Sequence, residues 1–134
     1  MVTYSELLDE AWKARARAYA PYSGYFVGAA ILDTEGRVWT GCNIEYVAYG
    51  LCLCAERTAL SKMVSEGVRS LFRVAVVTRD GGFPCGMCLQ ALLEFAGDPK
   101  SVEVIVASEL DGAKTFRLSD LLPFGFQTGD LKRT

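Results

Sequence analysis

At 134 residues, 51% of them apolar and 22% charged, the chain has the profile of one globular domain, residues 1–134, with an ordinary hydrophobic core. A net charge of −2 without a basic patch argues against wrapping a nucleic-acid backbone, and the longest nearly apolar stretch, residues 46–55, is too short to cross a bilayer. The chain contains no histidine, which excludes every histidine-based triad, dyad or metal site and leaves proton transfer near neutral pH to carboxylates, thiols or a metal-bound water.

In chain order, residues 3–19 read as a helix. Thr3 or Ser5 can cap it, and Leu7, Leu8, Ala11, Trp12 and Ala18 lie near one stripe before Pro21 stops it. The early acids Glu6, Asp9 and Glu10 do not suit an export signal, so the expectation is a cytoplasmic protein with reduced thiols. Residues 25–33 and 37–41 form a hairpin around Asp33-Thr34-Glu35-Gly36. A helix over 54–66 ends at Gly67, and the β-branched run 72–78 reads as a buried strand. A helix over 86–96 closes at Gly97. Strands at 102–107 and 114–118 precede a last helical turn near Ser119–Leu122. The order αββαβαββ argues for an α/β fold with one sheet of about five strands and helices packed on it.

The chemistry concentrates in Cys54-Ala55-Glu56-Arg57 and Pro84-Cys85-Gly86-Met87-Cys88. Cys54, Cys85 and Cys88 can hold Zn²⁺ through three thiolates and leave the fourth position open, and Glu56 stands close enough to move protons there. Cys85 and Cys88 share a helix face. Cys54 and Glu56, two apart, converge only if Cys54 lies at the start of its helix, so the site must sit over two helix N-termini. The partial positive charge at those ends favours thiolates, and Arg57 can donate to the sulfurs. Two other readings stay open at this level: a closed structural site with Cys42 or Cys52 as fourth ligand, and thioredoxin-like redox chemistry at Cys-x-x-Cys.

Cys-Ala-Glu followed at this distance by Pro-Cys-x-x-Cys resembles the zinc-dependent nucleoside and nucleobase deaminases. Pro21-Tyr22-Ser23, Val27-Gly28-Ala29-Ala30, Gly41-Cys42-Asn43-Ile44-Glu45, Ser65-Glu66-Gly67, Glu94-Phe95 and Leu121-Leu122-Pro123 extend the likeness over nearly the whole chain, to the small homotetrameric cytidine deaminases. The resemblance implies a three-layer fold with a mixed sheet and hydrolytic deamination of cytidine and deoxycytidine in pyrimidine salvage. It implies one zinc per subunit on Cys54, Cys85 and Cys88, with Glu56 as proton shuttle. Asn43 and Glu45 would bind the ribose hydroxyls, and Tyr25, where the family usually has Phe, would pack on the nucleoside. Backbone groups around Val47 and Ala55 would read the pyrimidine edge, and a neighbouring subunit would offer Tyr49 and Phe126. Two positions depart from the family pattern: Tyr46 replaces the usual Asn after Asn-x-Glu, and Leu89 replaces the Arg after the second cysteine. These departures keep a same-fold deaminase of another aminated heterocycle in play, beside a non-enzymatic zinc-stabilised domain.

Overall fold

The computed structural model describes residues 1–131. Helix α1, Tyr4–Arg15, starts where Thr3 Oγ1 accepts the Glu6 amide. It ends four residues before the predicted Tyr19, because Tyr19 is claimed by the loop beyond the hairpin: its amide donates to the Asn43 carbonyl and its carbonyl accepts the Glu45 amide. Strands β1, Gly28–Asp33, and β2, Val38–Cys42, pair antiparallel. A single 3₁₀ turn, Tyr49–Leu51, precedes helix α2, Ala55–Ser65. Strand β3, Leu71–Thr78, helix α3, Gly86–Glu94, strand β4, Glu103–Ser108, strand β5, Gly112–Arg117, and the short helices α4, Leu118–Leu121, and α5, Thr128–Leu131, complete the order. The 3₁₀ turn and α5 have no counterpart in the expectations from sequence.

The five strands form one sheet in the order β2-β1-β3-β4-β5. Only β3 and β4 run parallel, with Val74 beside Val104, and α3 makes the crossover between them. All six residues of β1 are buried, as are the last five of β3 and of β4, so both faces of the sheet are covered at its centre, while the edge strand β5 is largely exposed. Period-two alternation sorts these strands into two cores. Ala29, Ile31, Val74, Val76, Val104 and Val106 face α2 and α3, whereas Ala30, Leu32, Ala75, Val77, Ile105 and Ala107 face Leu7 and Ala11 of α1. The result is the expected three-layer α/β mixed sheet.

One close approach fixes the seat of α2. At Gly41 of β2, an added Cβ would lie 2.5 Å from the Ala55 carbonyl oxygen and from the Ala59 amide of α2. The first turn of α2 therefore rests directly on strand backbone, and α2 and α3 present their N-termini side by side.

Candidate active site

Cys54 is the N-cap of α2 and Cys85 the N-cap of α3, both with extended backbone, and Cys88 lies one turn into α3. The Cys85 sulfur accepts the Cys88 amide at 3.5 Å, a thiol in the role usually taken by Ser or Asp. This placement brings the three Sγ atoms within 4.8 Å of one another, the one such cluster of metal-ligating side chains among the described residues. Tetrahedral zinc with bonds near 2.3 Å sets sulfurs about 3.8 Å apart, so the trio fits the ion. Cys52 and Cys42 stay outside the cluster; the Cys52 thiol is instead engaged by the Tyr46 backbone, through its amide at 3.3 Å and its carbonyl at 3.6 Å. The closed four-cysteine arrangement is therefore not formed.

Hydrogens are shared unequally among these sulfurs. The Cys88 thiol donates to Cys54, and this bond, against the opposing effect of burial and with help from Arg57 and Cys85, lowers Cys54 to about 5. Cys88 is correspondingly raised by that same bond, by burial and by the charges of Glu56 and Cys54. Cys85 Sγ contacts Cys88 Sγ at 3.5 Å. A cation among the three sulfurs takes the place of these hydrogens, and its binding releases protons. Arg57 Nη2 stands 3.7 Å from Cys54 Sγ, as the sequence suggested, and its Nε is buried without a hydrogen-bond partner among the described residues.

Glu56 is 4% exposed on the first turn of α2. Burial pushes its carboxyl up to about 7; its own amide and Arg57 counter this, and the Cys54 charge adds to it. A carboxyl poised there can both take and return a proton near neutral pH.

A cavity of about 330 Å³ opens over the cysteines and Glu56. Of the residues expected to hold a substrate, Tyr25, Asn43, Glu45 and Ala55 line it; Val47 and Tyr49 do not, and both are strongly exposed. Tyr49 borders a second cavity with Tyr22, Ser23, Tyr46 and the shared residues Glu45 and Cys52. Phe126 lies outside the cavity too, held by Gln90, whose Nε2 donates to its carbonyl at 2.7 Å and whose Oε1 accepts its amide at 3.1 Å. Val27, Leu53, Val76, Thr78 and Phe83 are cavity residues that the sequence reading did not single out. Val76 and Thr78 carried a signal of sorts, the apolar end of a strand that leads to Cys85.

Asn43 and Glu45 have structural duties. The strap 22–27 makes few ladder bonds, and side chains satisfy its backbone instead. Asn43 Oδ1 accepts the Val27 amide at 2.9 Å and Nδ2 donates to the Tyr25 carbonyl at 2.8 Å. Glu45 accepts the Tyr22 and Ser23 amides and the Ser23 hydroxyl, and that hydroxyl above all keeps its carboxyl below the usual range. Arg15 Nε donates to the Phe26 carbonyl at 2.9 Å.

Residues 1–105 match the model of the cytidine and deoxycytidylate deaminase zinc-binding region. A cytidine deaminase of Sporosarcina psychrophila is 43% identical over 128 residues, 94% of this chain and 93% of its own. One from Mycobacterium tuberculosis is 42% identical over 134 residues, 98% of this chain and 96% of its own. Among solved structures, the cytidine deaminase of Burkholderia pseudomallei superposes with a TM-score of 0.86 at 41% identity, covering 92% of this chain and 99% of its own. That of Mycobacterium tuberculosis gives 0.80 at 41%, covering 94% and 98%. With matches of this extent on a three-layer fold that carries a three-thiol zinc cluster beside a buried glutamate, the chain belongs to the zinc-binding cytidine and deoxycytidylate deaminase family.

Proposed function

We propose that the protein deaminates cytidine and deoxycytidine by hydrolysis, giving uridine or deoxyuridine and ammonia, with zinc held by Cys54, Cys85 and Cys88. The observation that carries this reading is a buried carboxyl and three converging sulfurs at the base of one cavity. Zinc bound there supplies Lewis acidity that makes a water nucleophilic near neutral pH. Glu56 takes a proton from the reacting water and places it on N3 of the pyrimidine while the water oxygen bonds to C4; it then carries that oxygen's second proton to the amino group, and the C4–N bond breaks to release ammonia. Because one carboxylate gives and takes in turn, no histidine is needed. Arg57 offsets the negative charge of the thiolates. Ala55, at the first position of α2, offers its backbone to the base, and Tyr25 walls the cavity. Asn43 and Glu45 bind the sugar hydroxyls while holding the strap.

The resemblance to the small homotetrameric cytidine deaminases and the exposure of Val47, Tyr49, Leu51 and Phe126 support a homotetramer in which Tyr49, Phe126 and the Val47 backbone meet a neighbour's site. The substrate is a free nucleoside; the net charge of −2 argues against a nucleic-acid partner. No helix among the described residues is long and apolar enough to cross a membrane. A role in pyrimidine salvage in the cytoplasm fits a site that needs reduced thiols. Incubating the zinc-loaded protein with cytidine, deoxycytidine and other aminated heterocycles, while following ammonia and the ultraviolet change, tests the proposal. Turnover of the two nucleosides is expected, and ammonia only from a different heterocycle would overturn the substrate assignment.

A further inference from the structure

The loop between β3 and α3 delivers Pro84 and Cys85, so its placement decides where one sulfur of the cluster stands. Two ties hold it to its own side. Thr78 Oγ1, itself buried, accepts the Gly81 and Gly82 amides at 2.7 and 3.0 Å, and the Phe83 ring packs edge-on against Phe116 of β5 at 5.1 Å between centroids. A third tie crosses to the opposite wall. The Tyr25 hydroxyl, on the strap, donates to Asp80 Oδ1 at 2.7 Å. Gly82 lies directly beneath that hydroxyl: a Cβ there would come within 2.4 Å of it, so the loop accepts the tyrosine only because this residue is glycine. Tyr25, Gly82 and Phe83 all line the cavity, and Tyr25 turns its one polar atom toward the loop.

We propose that Asp80 is a positioning residue: by accepting the Tyr25 hydroxyl it locks the loop that carries Cys85 to the strap that forms the facing wall, and so fixes the width of the substrate cavity. The inference rests on that cavity being the nucleoside site. Asp80 is exposed and does not itself line it, so it acts through Tyr25 and the loop rather than on the substrate.

The test compares zinc-loaded wild type with Asp80→Ala, Asp80→Asn, Tyr25→Phe and the double variant Tyr25→Phe/Asp80→Ala. Two readouts are taken: kcat and KM for cytidine, and hydrogen exchange of the amides at 79–83. Losing the tie from either end should raise KM about five-fold, the size of one hydrogen bond, with kcat within about two-fold. The double variant should go no further than either single one. Asp80→Asn retains an Oδ1 acceptor and should stay near wild type. Exchange at 79–83 should quicken in Tyr25→Phe as well as in Asp80→Ala, and at least as much in the latter, because Asp80 Oδ1 also faces Thr78 Oγ1 at 3.5 Å. Full additivity of the two single effects on KM, or exchange at the wild-type rate in both variants, would overturn the tie. If wild type turned over no cytidine, the substrate assignment would fail alone, since the exchange measurement judges the tie without a substrate.

Discussion

The proton chemistry of the proposed reaction rests on individual side chains. Glu56→Gln keeps the size of the buried carboxyl and removes its proton transfer; the expected outcome is loss of about 10²–10⁴-fold in kcat with zinc still bound, checked by metal analysis beside steady-state kinetics. Glu45 holds the strap and is proposed to bind the sugar as well, so Glu45→Gln should raise KM for cytidine about ten-fold, and more than it changes kcat. Asp33 is a purely structural counterpart. Burial pushes its carboxyl up, but the Trp39 indole N–H, the Arg37 and Glu35 amides and the Arg37 guanidinium outweigh burial and hold it below the ordinary value. The stability it contributes is present above about pH 4, the ordinary carboxylate value, and is lost as pH falls through its lower folded value. Asp33→Asn should therefore destabilise the fold by about 1–3 kcal/mol near pH 7 and flatten the acid limb of a denaturation-against-pH curve.

At the scale of elements, the metal site is the meeting of two helix ends, and the position of α2 depends on the backbone of β2. Gly41→Ala forces a Cβ to within 2.5 Å of backbone atoms in the first turn of α2. It should cost about 1–3 kcal/mol by urea denaturation and hasten zinc release to a chelator, because Cys54 and Glu56 move with that turn. The elements themselves were legible from sequence. The β-branched run of β3, the turn residues after β1 and the Cys-x-x-Cys helix start each pointed the right way, and the geometry of Cys54 and Glu56 already required Cys54 at a helix start. What could not be read was competition. Helix α1 stops at Arg15 because Tyr19 pairs with residues 43–45, a contact no local pattern encodes. Strand β1 begins at Gly28 rather than at 25, since Asn43, Glu45 and Arg15 have already satisfied the strap. Separation in sequence likewise hid Asp80 from Tyr25, 55 residues away.

Over the whole molecule, zinc and folding are linked through three thiols that must all be deprotonated to bind it. At free zinc a thousand times its dissociation constant, the ion adds about 4 kcal/mol to the folded state. Chelation should accordingly lower Tm by on the order of 10 °C, restored by zinc, in a calorimetric scan. The cavity over the cysteines, by contrast, mixes elements from across the chain: the strap, the segment 43–45, both helix starts and the end of β3. Sequence motifs marked its floor, whereas Val27 and Phe83 became cavity residues only through the folding of the strap and the loop.

The sheet divides the protein into two compartments with different work. The face toward Leu7 and Ala11 holds apolar packing, aliphatic at its centre with Trp12 at its edge, while the cysteines and Glu56 stand on the other side. Damage to the first compartment and damage to the second should thus look different in a cell. Leu7→Ala thins a fully buried layer, at a cost of roughly 2–5 kcal/mol, and its signature would be fewer surviving copies, cleared by proteolysis, each working at the normal pace.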